Sequence, residues 1–300
     1  MPRFPQQVHP DYATDRPAEQ LLAADTRMGA VELLVRDLDA VLKFYHEGAL
    51  LDVMEHTGDR ATLGKNGVPS VQLVQVADLP PFDRRGAGLF HTALVYPTRE
   101  ELSAALFNIA QKFPRSYTGA GDHIFSEAFY FDDPEGNGVE LYFDRPREQW
   151  EVEPNSKLYS QATLGLDPNA FLGENLNEHK LENATSTLGH VHLQVGDIDR
   201  ARDFYAGALG FEITGEVGSA LFVSAGGYHH HMALNVFQSR GAGPRAASYG
   251  LGRVDIDVPA EDDRLALADR LKDHQISTRD DGQTLEFNDP WNSLIRVKVG

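Results

Sequence analysis

Apolar and polar residues alternate in short runs that recur along the chain in one fixed order. Residues 29–45 read GAVELLVRDLDAVLKFY and residues 189–205 read GHVHLQVGDIDRARDFY. Each predicts an alternating strand, an aspartate, then an amphipathic helix ending in Phe-Tyr. Asp37 and Asp197 stand where a helix N-cap belongs, because a short side-chain oxygen there can accept from the unpaired N–H groups of the first turn. Residues 90–113 and 251–274 open the same way, with Thr98 as the cap of the first. Each of these leads to a strand, an Asp-Pro turn and another strand, at 128–143 and 284–299, while SALFVSA and HHMALNVF supply strand-like runs in the 189–205 copy. The pattern predicts an α+β chain of four tandem βαβββ modules starting near residues 28, 88, 187 and 250. The remainder divides into an irregular arm (1–26), a first domain of two modules (27–144), a linker rich in Asn, Glu and Pro with one short helix (145–186), and a second domain of two modules (187–300).

Strand side chains alternate between faces, so the same runs say which residues share a surface. Val191, Leu193 and Val195 fall on one face of their strand and His190, His192 and Gln194 on the other. Met232, Leu234 and Val236 oppose His231, Ala233 and Asn235; Val139, Leu141 and Phe143 oppose Glu140 and Tyr142. The apolar faces should meet the helices, which leaves His and Glu inside a concave sheet. His91 holds in the second module the place His190 holds in the third. Two imidazoles and a carboxylate on one side of an ion leave coordination positions open, the pattern of iron(II) oxygenases.

Composition narrows the partners. A formal net charge of −18 argues against nucleic acid, which needs clustered Lys and Arg. The absence of cysteine excludes disulfides, thiolate metal sites and a cysteine nucleophile, and fits a reducing cytoplasm. No apolar run approaches a membrane span, and the first residues lack the apolar stretch of a secretion signal.

The segments GLFHTALVYPTREEL, GDHIFSEAFYFDDPEGNGVELYFDRP, LGHVHLQVGDIDRARDFYAGALGF and SALFVSAGGYHHHMALNVF carry a resemblance. Over residues 28–143 and 187–299 the chain resembles the vicinal oxygen chelate superfamily of glyoxalases, fosfomycin-resistance proteins and type I extradiol dioxygenases, and within it the two-domain bacterial catechol-2,3-dioxygenases. The resemblance implies two cupped mixed sheets and a ring-cleaving reaction of catechol or a substituted catechol with O2. It implies Fe2+, with Mn2+ as the alternative ion, on His91, Glu140 and His190. Tyr130, ten residues before the glutamate, would donate a hydrogen bond, His123 would stand behind it, and His231, in the run His229-His230-His231, would be the catalytic base. Phe125, Phe129 and Tyr249 are candidates to stack on the ring. Two other readings stay open: a glyoxalase-like isomerase or thiol transferase using Mn, Ni or Zn, and a small-molecule-binding protein without catalysis.

One departure sets the architecture. The first module has Ala30 at the histidine position, and the fourth has Arg253 and Arg296 at its two ligand positions, Arg296 aligning with Glu140 when Pro290 is set against Pro134. Only modules two and three together hold a full ligand set. They should therefore share the active sheet, within one chain or by exchange between subunits of a homo-oligomer, leaving modules one and four as a metal-free half.

Overall fold

The computed structural model describes residues 4–6, 16–153, 156 and 158–300. Each repeat folds as strand, helix and three strands. The first comprises β1 (Arg27–Val35), α1 (Leu38–Lys43), β2 (Asp52–Thr57), β3 (Arg60–Lys65) and β4 (Val68–Gln75). The second comprises β5 (Gly88–Tyr96), α2 (Arg99–Lys112), β6 (Tyr117–Asp122), β7 (Ser126–Asp132) and β8 (Gly138–Asp144). After the connecting helix α3 (Pro168–Asn175), the third comprises β9 (Thr187–Gln194), α4 (Ile198–Arg202), β10 (Glu212–Val217), β11 (Ala220–Ser224) and β12 (Met232–Asn235). The fourth comprises β13 (Gly250–Val258), α5 (Glu261–Asp273), β14 (Thr278–Asp280), β15 (Thr284–Asn288) and β16 (Leu294–Val299).

The caps read from sequence are in place. Asp37 accepts from the Ala40 N–H, Thr98 from Glu101 and Asp197 from Arg200. Helix α5 starts at Ala260 without a side-chain cap, and the acids Glu261, Asp262 and Asp263 face its positive end instead. The Phe-Tyr pairs do not end α1 and α4. Each helix widens into a π turn, at Phe44–Gly48 and Asp203–Ala208, and both aromatic residues of each pair are buried there.

Two eight-stranded mixed sheets result, and neither follows chain order. One runs β14-β15-β16-β13-β1-β4-β3-β2, joining modules one and four; the other runs β10-β11-β12-β9-β5-β8-β7-β6, joining modules two and three. The divisions 27–144 and 187–300 therefore each contribute half of both sheets. Modules two and three pair within a single chain, through antiparallel β5 and β9. Segment 145–186 is more than a tether: Leu164 bridges to Asp122, and the Tyr159 N–H donates to the Thr214 carbonyl, so the segment is bound along the second sheet. Among the described residues no helix is long and apolar enough to cross a membrane.

In the sheet of modules one and four, the centre is filled by charge. The buried Asp255 carboxylate receives Arg253 Nε (2.7 Å) and Arg296 Nε (3.1 Å), and Arg253 also reaches Glu32 (3.1 Å) and Gln72 (2.9 Å). Removing one member of a buried pair leaves the others uncompensated. We expect Asp255→Ala to lower the unfolding free energy by about 3–5 kcal/mol, read by chemical denaturation; an unchanged midpoint would show the cluster to be solvated rather than structural.

Candidate metal centre

The sheet of modules two and three brings His91, Glu140 and His190 together. Parallel β8 places Glu140 beside Ala93, and antiparallel β9 places His190 beside Ala93 on the other side. His91 lies two residues before Ala93, hence on the same face. The alanine methyl between a carboxylate and an imidazole leaves the middle of the row open. Close approach extends to the backbone: the Tyr142 hydroxyl occupies the space a Cβ at residue 189 would need, so Gly189 lets the tyrosine pack against His190, with ring centroids 4.9 Å apart.

All three side chains are buried, at 5%, 3% and 2% exposure for His91, Glu140 and His190. Their candidate ligand atoms all lie within 4.8 Å of one another. His91 Nε2 is 2.9 Å and His190 Nε2 3.4 Å from Glu140 Oε2. Despite that proximity His91 Nε2 has no properly directed hydrogen bond, and His190 Nδ1 is also buried without one. Ligand atoms set at right angles around an ion at ~2.1 Å would stand roughly 3 Å apart, close to the 2.9 Å and 3.4 Å that separate the two imidazole nitrogens from Glu140 Oε2. Burial pushes the Glu140 pKa up, but the adjoining imidazoles of His190 and His91 act against it and hold the group well below the usual carboxylate range. Burial drives the His190 pKa down to about 4. A carboxylate and neutral imidazoles are the protonation states a divalent cation requires. An orphaned imidazole nitrogen beside a buried anionic carboxylate therefore fits a metal ion.

Two hydrogen-bond chains flank the triad. On one side, Tyr130 sits opposite Glu140 in the β7–β8 ladder, and its hydroxyl is 2.6 Å from His123 Nε2. His123 Nδ1 lies 3.1 Å from the Ala162 carbonyl, which can only accept. Nδ1 therefore carries the proton, and the Tyr130 O–H donates to Nε2. Burial, then the charge of Glu140, raises the Tyr130 pKa well above the usual phenol value, so it keeps its proton. On the other side, His229 Nε2 is 2.8 Å from Asp144 Oδ1, and His229 Nδ1 is 2.8 Å from His230 Nδ1. In the tautomer with Asp144 accepting from Nε2–H, the bare His229 Nδ1 accepts in turn from His230 Nδ1–H. His230 Nε2 is then the nitrogen left with a lone pair. The His230 ring is 4.2 Å from that of His190 and lines the cavity over the triad, and burial holds its pKa well below the ordinary value, so the ring is neutral.

The sequence expectation for the third histidine needs correction. His231 does not line the cavity: its Nδ1 accepts from the Ala225 N–H (3.2 Å) and is 2.9 Å from Ser224 Oγ, and burial lowers its pKa to about 3. Alternation was extended one residue too far back, since β12 begins only at Met232. Before it, Gly226 (φ 61°) and Gly227 (φ 67°) adopt the left-handed region and turn the preceding segment over the sheet, which brings His230 to the site. Of the aromatic candidates, Phe125 lines the cavity and stacks on His229 at 4.6 Å. Phe129 faces away from Tyr130 and packs in the core on Phe171, and Tyr249 lines a separate cleft near Pro81. Asp144 was within reach of the sequence, since one further step of the Glu140, Tyr142 alternation lands on it. His192, which receives Asn235 Nδ2 at 3.0 Å, was placed on the correct face but given no role.

Comparison with known proteins agrees with this fold. Residues 27–141 and 187–296 match the family described as Glyoxalase/Bleomycin resistance protein/Dioxygenase superfamily. A Bacillus subtilis (strain 168) protein named catechol-2,3-dioxygenase is 35% identical over 274 residues, spanning 89% of this chain and 94% of its own. A solved Bacillus subtilis structure superposes with a TM-score of 0.64 at 15% identity, covering 93% of this chain and 86% of the other. Glyoxalase I from Zea mays does so with 0.57 at 18% identity, covering 92% of each. At such identities these two structures speak for the fold alone. With four βαβββ modules, two curled mixed sheets and a match over most of its length, the chain belongs to the Glyoxalase/Bleomycin resistance protein/Dioxygenase superfamily.

Proposed function

We propose that the chain is an extradiol dioxygenase that opens the ring of catechol or a substituted catechol with O2, using Fe2+, with Mn2+ as the alternative ion, on His91, Glu140 and His190. The observation that carries this reading is the buried set of two imidazoles and one carboxylate, with an orphaned His91 Nε2, of which His91 and Glu140 form the floor of an aromatic cavity. The 35% identical relative named catechol-2,3-dioxygenase supports the same substrate class.

When bound, iron(II) supplies the redox link between an aromatic diol and O2 and acidifies a hydroxyl of the diol. The chain's own groups manage protons and orientation. His230 Nε2, left bare by the Asp144–His229–His230 chain, takes a proton from the substrate hydroxyl facing it; as the imidazole gains charge, His229 and Asp144 steady it. Tyr130 stands across the triad from His230. The Tyr130 proton is committed to His123 while His123 Nε2 is bare; the tautomer in which His123 Nε2–H donates to the Tyr130 oxygen frees that proton for an oxygen of the opening ring. Phe125 and the Phe90 wall keep water from the reacting face. The product expected is a muconic semialdehyde-type acid that retains both oxygen atoms.

Protein reconstituted anaerobically with Fe2+, then given catechol and air, should consume O2 and form a yellow ring-fission product. Metal bound with no O2 uptake from any catechol would overturn the reading. Glu140→Ala should reduce bound iron to background by elemental analysis while far-ultraviolet circular dichroism stays native. His230→Ala should retain iron and lower kcat by about 10²–10⁴-fold, the usual contribution of a positioned acid–base. His231→Ala should change kcat far less. A larger loss at His231 than at His230 would return the base to the position read from sequence. Asp144→Asn, which can still accept from His229 but lacks the negative charge that steadies the chain, should lower kcat with KM largely kept.

A further inference from the structure

We infer that the substrate is a catechol carrying a bulky apolar substituent, such as an aryl group, which Phe4 and Phe237 close over; this rests on the catechol reading above and adds to it the part of the molecule distant from the metal. The cavity above the triad has a volume of about 650 Å³. An apolar cavity of ~150 Å³ suffices for benzene, so one dihydroxylated ring would leave most of this space empty.

The walls say what should fill it. From His91, an aromatic surface runs outward through Phe90, 5.2 Å away between ring centroids, to Phe237 at a further 5.8 Å. From His230 a second one leads to Phe222 at 5.2 Å. These surfaces present no charged group until the rim, where Arg240 stands exposed to solvent. A single solvated cation at the edge of aromatic walls favours an apolar substituent over an anionic one, because water competes for the charge but not for the rings.

The mouth adds an independent observation. Among the described residues only two phenylalanines are exposed, Phe4 (49%) and Phe237 (53%), and both line this cavity. Phe237 follows β12. Phe4 comes from the far end of the chain and is held in place: its N–H donates to the Gln161 carbonyl at 2.9 Å. Two residues on, the Gln6 side chain donates to the Tyr159 carbonyl (2.6 Å) and accepts from the Glu216 N–H (2.7 Å). Residues 4–6 are thus stitched to segment 145–186 and to β10 beside the cavity, with an apolar side chain set at its edge.

The test is anaerobic calorimetry on the Fe2+-loaded protein with three probes: catechol, a phenyl-substituted catechol and a carboxylate-substituted catechol. The phenyl compound should bind about tenfold or more tightly than catechol, the scale at which an apolar pocket discriminates. In the double variant Phe4→Ala/Phe237→Ala, both sites being exposed, that preference should fall at least about fivefold with iron content retained. Equal affinities, a preference for the carboxylate, or a preference that survives the double substitution would overturn the inference while leaving catechol cleavage standing. Failure of all three diols to bind, with no O2 uptake, would remove both readings together.

Discussion

The antiparallel ladder between β5 and β9 is the constraint on which the site depends. It joins two modules separated by more than forty residues of connecting chain, and it sets Ala93 between His190 and Glu140. Side chains in a strand alternate with period two, so a slip of one residue in this ladder would send His91 and Ala93 to the opposite face and bury Thr92 in the cup. Irregularities in the register between Leu89 and His91 and between Ala93 and Leu94 confine the regular pairing to the stretch that carries the site. A site assembled across a ladder in this way inherits the rigidity of the sheet rather than the mobility of loops.

The sheet of modules one and four answers the same structural question with opposite charge. Asp255 occupies the position of Ala93, and Arg253 and Arg296 occupy those of His91 and Glu140. One sheet leaves a small void among donors suited to a cation. The other fills the void with a carboxylate and closes two guanidinium groups on it. Either solution satisfies polar groups that a concave sheet would otherwise bury without partners. The two sheets thus share one backbone plan, with a set of donors suited to a cation in one and an ion-pair cluster in the other.

The modules, the capping residues Asp37, Thr98 and Asp197, and the convergence of His91, Glu140 and His190 were legible because each follows from short-range periodicity or from equivalence between repeats. What escaped lies where periodicity stops. His230 reaches the cavity through a turn with two left-handed glycines, and no alternation survives such a turn. The π turns at Phe44 and Phe204 differ from an ordinary helix end by one residue of winding, which propensity does not encode. Phe129 was read as a stacking candidate, but strand alternation sets it on the side opposite Tyr130, in the core. The proton order in Asp144–His229–His230 needed distances, since a run of three histidines contains no statement about which nitrogen accepts.

Because modules one and four pair with each other, as do two and three, the protein is a closed ring of modules rather than a line. Strand β1 starts at Arg27 opposite Asp257 of β13, and β16 ends at Val299 beside Val258 in the same sheet. The entrance to the first module and the exit from the fourth are therefore near neighbours, with β13 between them. A circular permutant that bridges these two points and opens the chain between modules two and three would preserve every strand pairing. In such a molecule His190 would lie in the first module and His91 and Glu140 in the last, so the buried triad would tie together the two ends of the polypeptide.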